Sequence, residues 1–436
     1  MKTLYTALMG LSVLLCGTVY GAMDDAVIEQ SFYPYKNGLP TAEGYQPGVE
    51  ITQKNVDGYK AILDDFVYRY IKQGWYTIKT TPTTSFDLHP GYVAATRAHS
   101  ASVKLTEQGL LQGFVAGRPF PQEPDVDDPD AGLKVVWNFQ RGFNAGDSET
   151  IKPFWWTFRN MKNDKVERVL KFDWHFLNWK HRSQFDPKPD IEPNPGQIFR
   201  SIYSKVLEPF DLANTQLLIH RYEDDLKRDD AWLYLGFQRR VRRLATGQIT
   251  DAFLGTDAMI EDFEGYNGRV SDYEWKYLET KNVLLPFYNH NEMALSSEPV
   301  NDPDGFRFVD VTGKGGCFPK VTWQLRKAYV VEGRPKDSNH PLSKRIIYLD
   351  AQTGIMSVLL SYDKKGDPWK YFPIGKTHSD NHIERNKGTG VAIDDFAVFL
   401  DEQAMHCTTL QFKSVINPEE NPPGIFSVQN LRKQGR

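Results

Sequence analysis

Residues 345–372 read RIIYLDAQTGIMSVLLSYDKKGDPWKYF, and this stretch decides the fold class. Three apolar runs are separated by two short turn sequences, AQTG at 351–354 and DKKGD at 363–367. Connections this short join antiparallel neighbours, because parallel strands need crossovers of a dozen or more residues. The stretch therefore predicts an antiparallel β-meander.

Similar strand patterns precede this meander. Residues 217–222 and 231–235 flank a polar segment as the two arms of a hairpin do, and residues 323–329 alternate strictly between apolar and polar. Three earlier stretches are also expected to be strands: 75–80, 93–105 and 109–116.

One amphipathic helix is predicted ahead of these strands. Apolar residues recur at helical spacing from Val56 to Ile71, Asn55 suits the N-cap and Gly74 suits the end. This pattern indicates a helix of about five turns.

Composition narrows the function classes. Among 436 residues, 52 basic side chains stand against 56 acidic ones, which gives a net charge of -4 and argues against a nucleic-acid binder. The chain is rich in large rings, with 10 Trp, 21 Tyr and 26 Phe. Such residues favour pleated sheets and the walls of apolar pockets.

The N-terminus has the features of a secretory signal peptide. Lys2 precedes an uncharged apolar run, and small residues precede Asp24, so we expect cleavage near Gly21 and residues 1–21 to be removed. No later stretch has the 18 or so apolar residues that a spanning helix needs. The mature chain is therefore expected in the periplasm without a transmembrane segment. Its two remaining cysteines, Cys317 and Cys407, could form a disulfide there, although sequence alone does not fix their distance.

Common catalytic and cofactor motifs are absent. The chain has no G-x-S-x-G, H-E-x-x-H, phosphate loop or dinucleotide fingerprint, so we expect no cofactor and no enzyme activity. His378 and His382 have the spacing of metal ligands only on a helix, and loop histidines are the simpler interpretation. His175 is expected to be a hydrogen-bonded structural residue. The acidic pairs 224–225 and 229–230 are expected to be solvated.

A run of arginines follows the predicted strand 231–235. In residues 239–243, Arg240 and Arg242 would share one face of an extended strand, and Arg239 and Arg243 the other. One pair could bind an anionic headgroup or a partner, or the arginines could pair with acids such as those at 261–262.

The chain resembles the secreted bacterial family of domain of unknown function 1329, which is grouped with the lipoprotein carriers LolA and LolB. The landmarks of the resemblance extend from about Val49 to Thr408. They are Asn55 with Tyr59 and Leu63, GRPFP at 117–121, KVVWN at 134–138 with Arg141, DAWLY at 230–234, RRVRR at 239–243, 323–330, RIIYLD at 345–350, and YDKKG at 362–366 with Trp369 and Lys370.

This resemblance implies a mainly β (α+β) fold. The expected architecture is a strongly curved antiparallel sheet, or half-open β-barrel, with helices over its concave side. We expect a lead segment at 22–48, one large β domain at 49–410 and a C-terminal tail at 411–436. A cavity under the helices would hold a hydrophobic ligand.

The leading hypothesis is a periplasmic carrier or accessory protein for a lipid or other hydrophobic ligand. It would act in envelope lipid or lipoprotein traffic, or beside an exporter of the resistance-nodulation-division type. The candidate ligand-binding residues are Trp232, Tyr234, Trp323, Tyr329 and Tyr348 as apolar lining, with Arg240 and Arg242 at the headgroup or lid. The same rings could instead be ordinary core. The alternatives are a scaffold without a ligand that docks to an outer-membrane or exporter protein, and a secreted hydrolase.

Overall fold

A computed structural model describes residues 22–244 and 249–435. The predicted signal peptide at 1–21 lies outside the described residues. The five α-helices of the described chain are α1 (Asp25–Phe32), α2 (Asp65–Lys72), α3 (Pro90–His99), α4 (Ala131–Gln140) and α5 (Val428–Gln434).

Twenty strands account for most of the regular structure in the described residues. They are β1 (Glu50–Ile51), β2 (Ile78–Thr81), β3 (Lys104–Leu105), β4 (Leu111–Gln112), β5 (Ser148–Asn160), β6 (Lys165–Asn178), β7 (Ile198–Glu208), β8 (Gln216–Tyr222), β9 (Asp230–Leu235), β10 (Arg240–Arg243), β11 (Tyr273–Leu285), β12 (Phe287–Tyr288), β13 (Val311–Thr312), β14 (Phe318–Pro319), β15 (Thr322–Pro335), β16 (Leu342–Asp350), β17 (Met356–Asp363), β18 (Pro368–His378), β19 (Ala392–Asp401) and β20 (His406–Val415).

Sixteen of these strands form one large, curved sheet that does not close. Its antiparallel path runs β11-β15-β16-β17-β18-β19-β20-β5-β6-β7-β8-β9-β10. Two short strands add parallel pairs, β2 beside β15 and β12 beside β18. The meander predicted at 345–372 is β16-β17-β18, and the predicted class, a curved antiparallel sheet left half open, is confirmed.

The sheet buries apolar side chains on both faces. Along β16, Ile346 and Tyr348 pack in the cluster that contains α2, whereas Ile347 and Leu349 pack in the cluster that contains α4. This alternation is what a strand requires when both of its faces are covered. We call the two sides the α2 face and the α4 face. The α4 cluster continues from β15 through to β9.

The disulfide that could form between the two cysteines is present. Cys317 and Cys407 are bonded, with their Cα atoms 6.0 Å apart. Both residues are fully buried in the α2-face cluster. The bond ties the loop before β14 to the start of β20.

The predicted five-turn helix is two shorter elements. A 3₁₀ helix covers Val56–Ile62, and α2 begins only at Asp65. Leu63 between them is extended, and the carboxylate of Asp64 caps α2 by accepting bonds from the amides of the next turn at 2.9 Å. An N-cap inside an apolar periodic run restarts the helix there.

The strand predicted at 93–105 is wrong for most of its length. Residues 90–99 form α3, whose first residue is Pro90 and whose N-cap His89 accepts a bond from the Gly91 amide at 3.0 Å. Proline at the first helical position is a start signal that outweighs the β-branched residues after it. In this region only β3 and β4, of two residues each, are strands. The strand predicted at 109–116 is therefore present at Leu111–Gln112 alone.

Both ends of the described chain pack onto the domain. α1 contacts α3 through buried Ile28 and Phe32. The boundary predicted at 410 falls inside β20, which continues to Val415. Beyond it, Leu431 of α5 is fully buried in a cluster with residues of β7, β8 and β9. None of the helices in residues 22–244 and 249–435 is long and apolar enough to cross a membrane.

Candidate functional site

Three neighbouring cavities lie in a row on the α4 face. The outer cavity, about 220 Å³, lies between β8, β9 and residues 249–272, which we call the cover segment. It shares Ile219 and Arg221 with a middle cavity of about 30 Å³. The middle cavity shares Asn144 and Glu264 with an inner cavity of about 50 Å³. Consecutive cavities share wall residues, so they are direct neighbours along the sheet.

The outer cavity has an apolar wall made by two paired strands. Leu217 and Ile219 of β8 lie directly opposite Leu233 and Ala231 of β9. Alternate residues of a strand point to the same face, so these four side chains form a continuous patch. Five more apolar residues of the wall come from the cover segment: Ile249, Ala252, Phe253, Leu254 and Ile260.

Two arginines at the rim of the outer cavity are paired with carboxylates. Arg221 makes two bonds to the carboxylate of Asp229, with its Nε at 3.0 Å from Oδ1 and an Nη at 2.6 Å from Oδ2. Arg269 makes a similar two-point contact with Asp272. An anionic headgroup would have to compete with these carboxylates, so the rim favours ligands without a strong negative charge.

A buried ion cluster fastens the cover segment to the sheet. Arg345 of β16 is completely buried and contacts Glu261 and, at 3.0 Å, the carboxylate of Asp262. His340 and the hydroxyl of Tyr273 also contact Glu261, at 3.0 and 3.1 Å. Burial opposes ionisation of Glu261, but the guanidinium of Arg345, together with His340 and the hydroxyl of Tyr273, outweighs it and lowers the pKa of Glu261. In Asp262 burial prevails and raises the pKa.

The inner cavity combines an aromatic wall with a few polar groups. Eight rings line it: Phe154, Trp156, Trp174, Phe176, Phe263, Phe372, Phe399 and Phe412. Its polar lining consists of Asn144, Glu149, Glu264 and Asp394. Burial, reinforced by the charge of Asp394, raises the pKa of Glu149 to about 8. An apolar site with a few convergent polar groups is the usual composition of a small-molecule pocket.

The aromatic residues proposed from the sequence do not line one cavity. Trp323 and Tyr348 are buried on the α2 face. Tyr329 packs against the α4 cluster and donates from its hydroxyl to Glu123 at 3.1 Å, at an open depression away from the three cavities.

The remaining aromatic pair lies on β9, on the face opposite to the outer cavity. Trp232 and Tyr234 pack with α5, and the Tyr234 hydroxyl donates to the carbonyl of Gly435 at 2.7 Å. Their neighbours Ala231 and Leu233 line the outer cavity instead. A shift of one residue exchanges the two faces of a strand. The alternation in the sequence does not say which of the two faces lines a cavity.

The arginines of β10 are exposed and are not among the residues that line the three cavities, although Arg242 lies opposite the wall residue Leu233 in the β9–β10 pair. Arg240 borders a surface depression beside Tyr234, and Arg242 donates to Gln238 at 2.8 Å. The predicted pairing with residues 261–262 is wrong, because Arg345 occupies both of those carboxylates. Arg243 pairs with Asp230 instead.

The paired acids on the β8–β9 turn are more buried than expected. Asp225 is buried and accepts bonds from the amides of Val270 and Ser271 at 3.3 and 2.8 Å, which attaches the cover segment to the turn. Asp229 pairs with Arg221. The partners of Asp225 lie about 45 residues further along the chain, so local sequence does not indicate them.

One buried cluster has the residue types of a metal site. His290, His382 and Asp395 converge, with Asp395 at 2.9 Å from Nδ1 of His290 and 3.4 Å from Nε2 of His382. His378, the other histidine of the predicted pair, instead contacts the carbonyl of Asp87. Although burial opposes its ionisation, the two imidazoles hold the pKa of Asp395 well below its usual range.

The position of the imidazole proton on His382 favours an ion cluster over a metal site. The amide nitrogen of Asn386 donates to the carbonyl of Ser414, and its oxygen accepts from the amide of Ile416, which fixes its orientation. The nitrogen of this amide therefore faces Nδ1 of His382, at 3.1 Å, and places the imidazole proton on Nε2. A metal-binding imidazole has the opposite arrangement, with its second nitrogen donating.

Two comparisons identify relatives of the whole chain. The family model described as a protein of unknown function (DUF1329) matches residues 50–432. The uncharacterized protein PA3922 of Pseudomonas aeruginosa is 24% identical over 349 residues, which cover 78% of this chain and 71% of that protein.

Solved structures with a similar fold share little sequence with the chain. An outer membrane lipoprotein-sorting protein domain from Vibrio parahaemolyticus is 15% identical, with a TM-score of 0.47, over 70% of this chain and 100% of its own. A DUF1329 family protein from Desulfovibrio piger is also 15% identical, with a TM-score of 0.46, over 70% and 99%. A LolA superfamily protein from Nitrosomonas europaea is 12% identical, with a TM-score of 0.37, over 65% and 91%. The match at 50–432 shows that the chain belongs to the DUF1329 family, as the landmarks in its sequence predicted.

Proposed function

We propose that this protein is a non-catalytic periplasmic carrier of a hydrophobic ligand, held in the row of cavities on the α4 face. The observation that carries the proposal is the outer cavity, whose walls on β8, β9 and the cover segment are mainly apolar. Each methylene group moved from water into such a site contributes about 0.8 kcal/mol. An acyl segment of four to six carbons would thus gain roughly 3 to 5 kcal/mol.

Two other features support the proposed compartment and role. The disulfide between Cys317 and Cys407 suits an oxidising compartment such as the periplasm. The apolar N-terminal sequence with its small residues before Asp24 suits export. A carrier of this kind would serve envelope lipid or lipoprotein traffic, or supply an exporter.

The test is native mass spectrometry of the mature protein purified from the periplasm, followed by organic extraction of what co-purifies. Leu233→Arg places a cation in the apolar wall, and Leu226→Arg is its matched control on an exposed residue outside that wall. We expect a ligand of stoichiometric mass in the wild type and in Leu226→Arg, and the bare chain in Leu233→Arg. Near-UV circular dichroism would verify that both variants fold.

A bare wild-type chain, still bare after incubation with envelope lipids, would contradict the carrier proposal. Crosslinking to outer-membrane or exporter proteins would then test the scaffold alternative. Turnover of an ester or glycan panel by the purified protein would favour the hydrolase alternative.

A further inference from the structure

Asn144 and Glu264 line both the middle and the inner cavity, and beside them Glu149 and Asp394 line the inner cavity. We call Asn144, Glu149, Glu264 and Asp394 the polar junction. The inner cavity has eight rings, and the middle cavity offers the apolar side chains of Phe139, Ile202 and Ile219 in a wall that is otherwise largely polar.

The acceptors of the junction are mostly occupied by cations. Arg200 of β7 pairs with Glu264, and Lys376 of β18 pairs with Asp394. Lys376 also lies 3.4 Å from the amide oxygen of Asn144. Two cations therefore balance two carboxylates, and no net positive charge remains to receive an anionic ligand.

Two groups of the junction, the Asn144 amide and the Glu149 carboxyl group, can donate hydrogen bonds. With its oxygen facing Lys376, Asn144 turns its amide nitrogen elsewhere, and no protein group in the described residues accepts from it. Glu149 of β5 is buried beside Asp394, the hydroxyl of Ser414 and Glu264. With a pKa of about 8, caused by burial and then by Asp394, it is mainly a neutral carboxylic acid near pH 7 and can donate a proton to a hydrogen bond.

We infer that the ligand is an uncharged molecule that carries a hydrogen-bond acceptor between two apolar parts, such as an ester, and that Asn144 and Glu149 bind this acceptor. A free carboxylate is disfavoured because it would lie beside Asp394 and Glu264 without a cation of its own. This inference rests on the proposed function, because it names the ligand class of the same cavities.

The experiment compares myristic acid with methyl myristate, two probes with the same acyl chain. Binding is followed at pH 7 by quenching of tryptophan fluorescence, since Trp156 and Trp174 line the inner cavity. We expect the ester to bind at least about tenfold more tightly than the acid, which corresponds to about 1.4 kcal/mol. Equal or tighter binding of the acid would overturn the inference and leave the carrier proposal intact. If neither probe binds, both this inference and the carrier proposal are wrong.

A pH series isolates the part played by Glu149. Above pH 8 the wild type should lose affinity for the ester, because ionised Glu149 no longer donates and repels the acceptor. Glu149→Gln keeps a donor of the same shape without titrating, so its ester affinity should stay constant through this range. Glu208→Gln, at an exposed carboxylate of β7, is the control that should behave as the wild type does. The same pH dependence in Glu149→Gln would overturn the assignment of Glu149.

Discussion

Replacing Arg345 by methionine should destabilise the protein strongly. Arg345 is fully buried, and its loss would leave Glu261 and Asp262 in the core without their cation. Breaking a buried ion pair by removing one partner typically costs about 3 to 5 kcal/mol. Methionine fills most of the volume of the arginine side chain, so we expect the loss of stability to come from the two unpaired carboxylates.

The thermal consequence follows from the size of the chain. For 436 residues, an unfolding entropy of about 2.1 cal/mol/K per residue gives roughly 0.9 kcal/mol/K in total. A loss of 3 to 5 kcal/mol then lowers Tm by about 3 to 6 °C. Differential scanning calorimetry at pH 7 measures this shift directly.

A triple variant separates charge from packing. Arg345→Met combined with Glu261→Gln and Asp262→Asn removes the charges together, so most of the lost Tm should return. A single variant that melts within 1 °C of the wild type would refute this reasoning. So would a triple variant that is no more stable than the single one.

Three further outcomes are expected. Cys317 and Cys407 are 90 residues apart, so reducing their disulfide should lower the free energy of unfolding by about 4 to 5 kcal/mol by the loop-entropy relation. Chemical denaturation with and without a reductant measures this loss, and equal curves would show that the bond contributes nothing. Burial lowers the pKa of His220 to about 4, below its unfolded value of about 6.5, so stability should fall as pH drops from 6.5 towards 4 by up to roughly 3 kcal/mol. Denaturation of His220→Gln across this range should show a flatter profile, and an unchanged slope would count against the assignment. Tyr234→Phe removes the bond to the carbonyl of Gly435 and should cost about 1 kcal/mol and speed proteolytic removal of α5, whereas an unaltered cleavage rate would show that this bond does not hold the helix.

Strand content was predictable because its signal is local. The turns at 351–354 and 363–367 and the alternation around them require neighbours only a few residues away, and β16-β17-β18 form there. His175, predicted as a hydrogen-bonded structural residue, contacts Asn421 at 2.8 Å, a partner 246 residues away that local sequence does not indicate. α3 departs from the predicted strand because Pro90 at its first position starts a helix, although β-branched residues such as Val93 and Thr96 favour a strand.

The candidate site was only half predictable. The sequence of β9 shows alternation, but either face could carry the ligand, and Trp232 drew attention to the face that packs on α5. The cover segment gave no periodic signal, and its anchor Arg345 lies more than 80 residues beyond Glu261. One signal in the sequence does point to the cavity. Across the predicted hairpin, Ala231 and Leu233 lie opposite Ile219 and Leu217, which makes a patch of aliphatic residues without large rings.

The pairing of β5 with β20 has a consequence for how the protein is made. These neighbours lie about 250 residues apart, as the register of Thr157 with Thr409 shows. During synthesis, β5 emerges long before β20, so one edge of β5 has no hydrogen-bonded partner until β20 has been made. Contacts between such distant segments slow folding, and an exposed strand edge can pair with other chains. The large sheet can therefore be completed only after β20 has been synthesised.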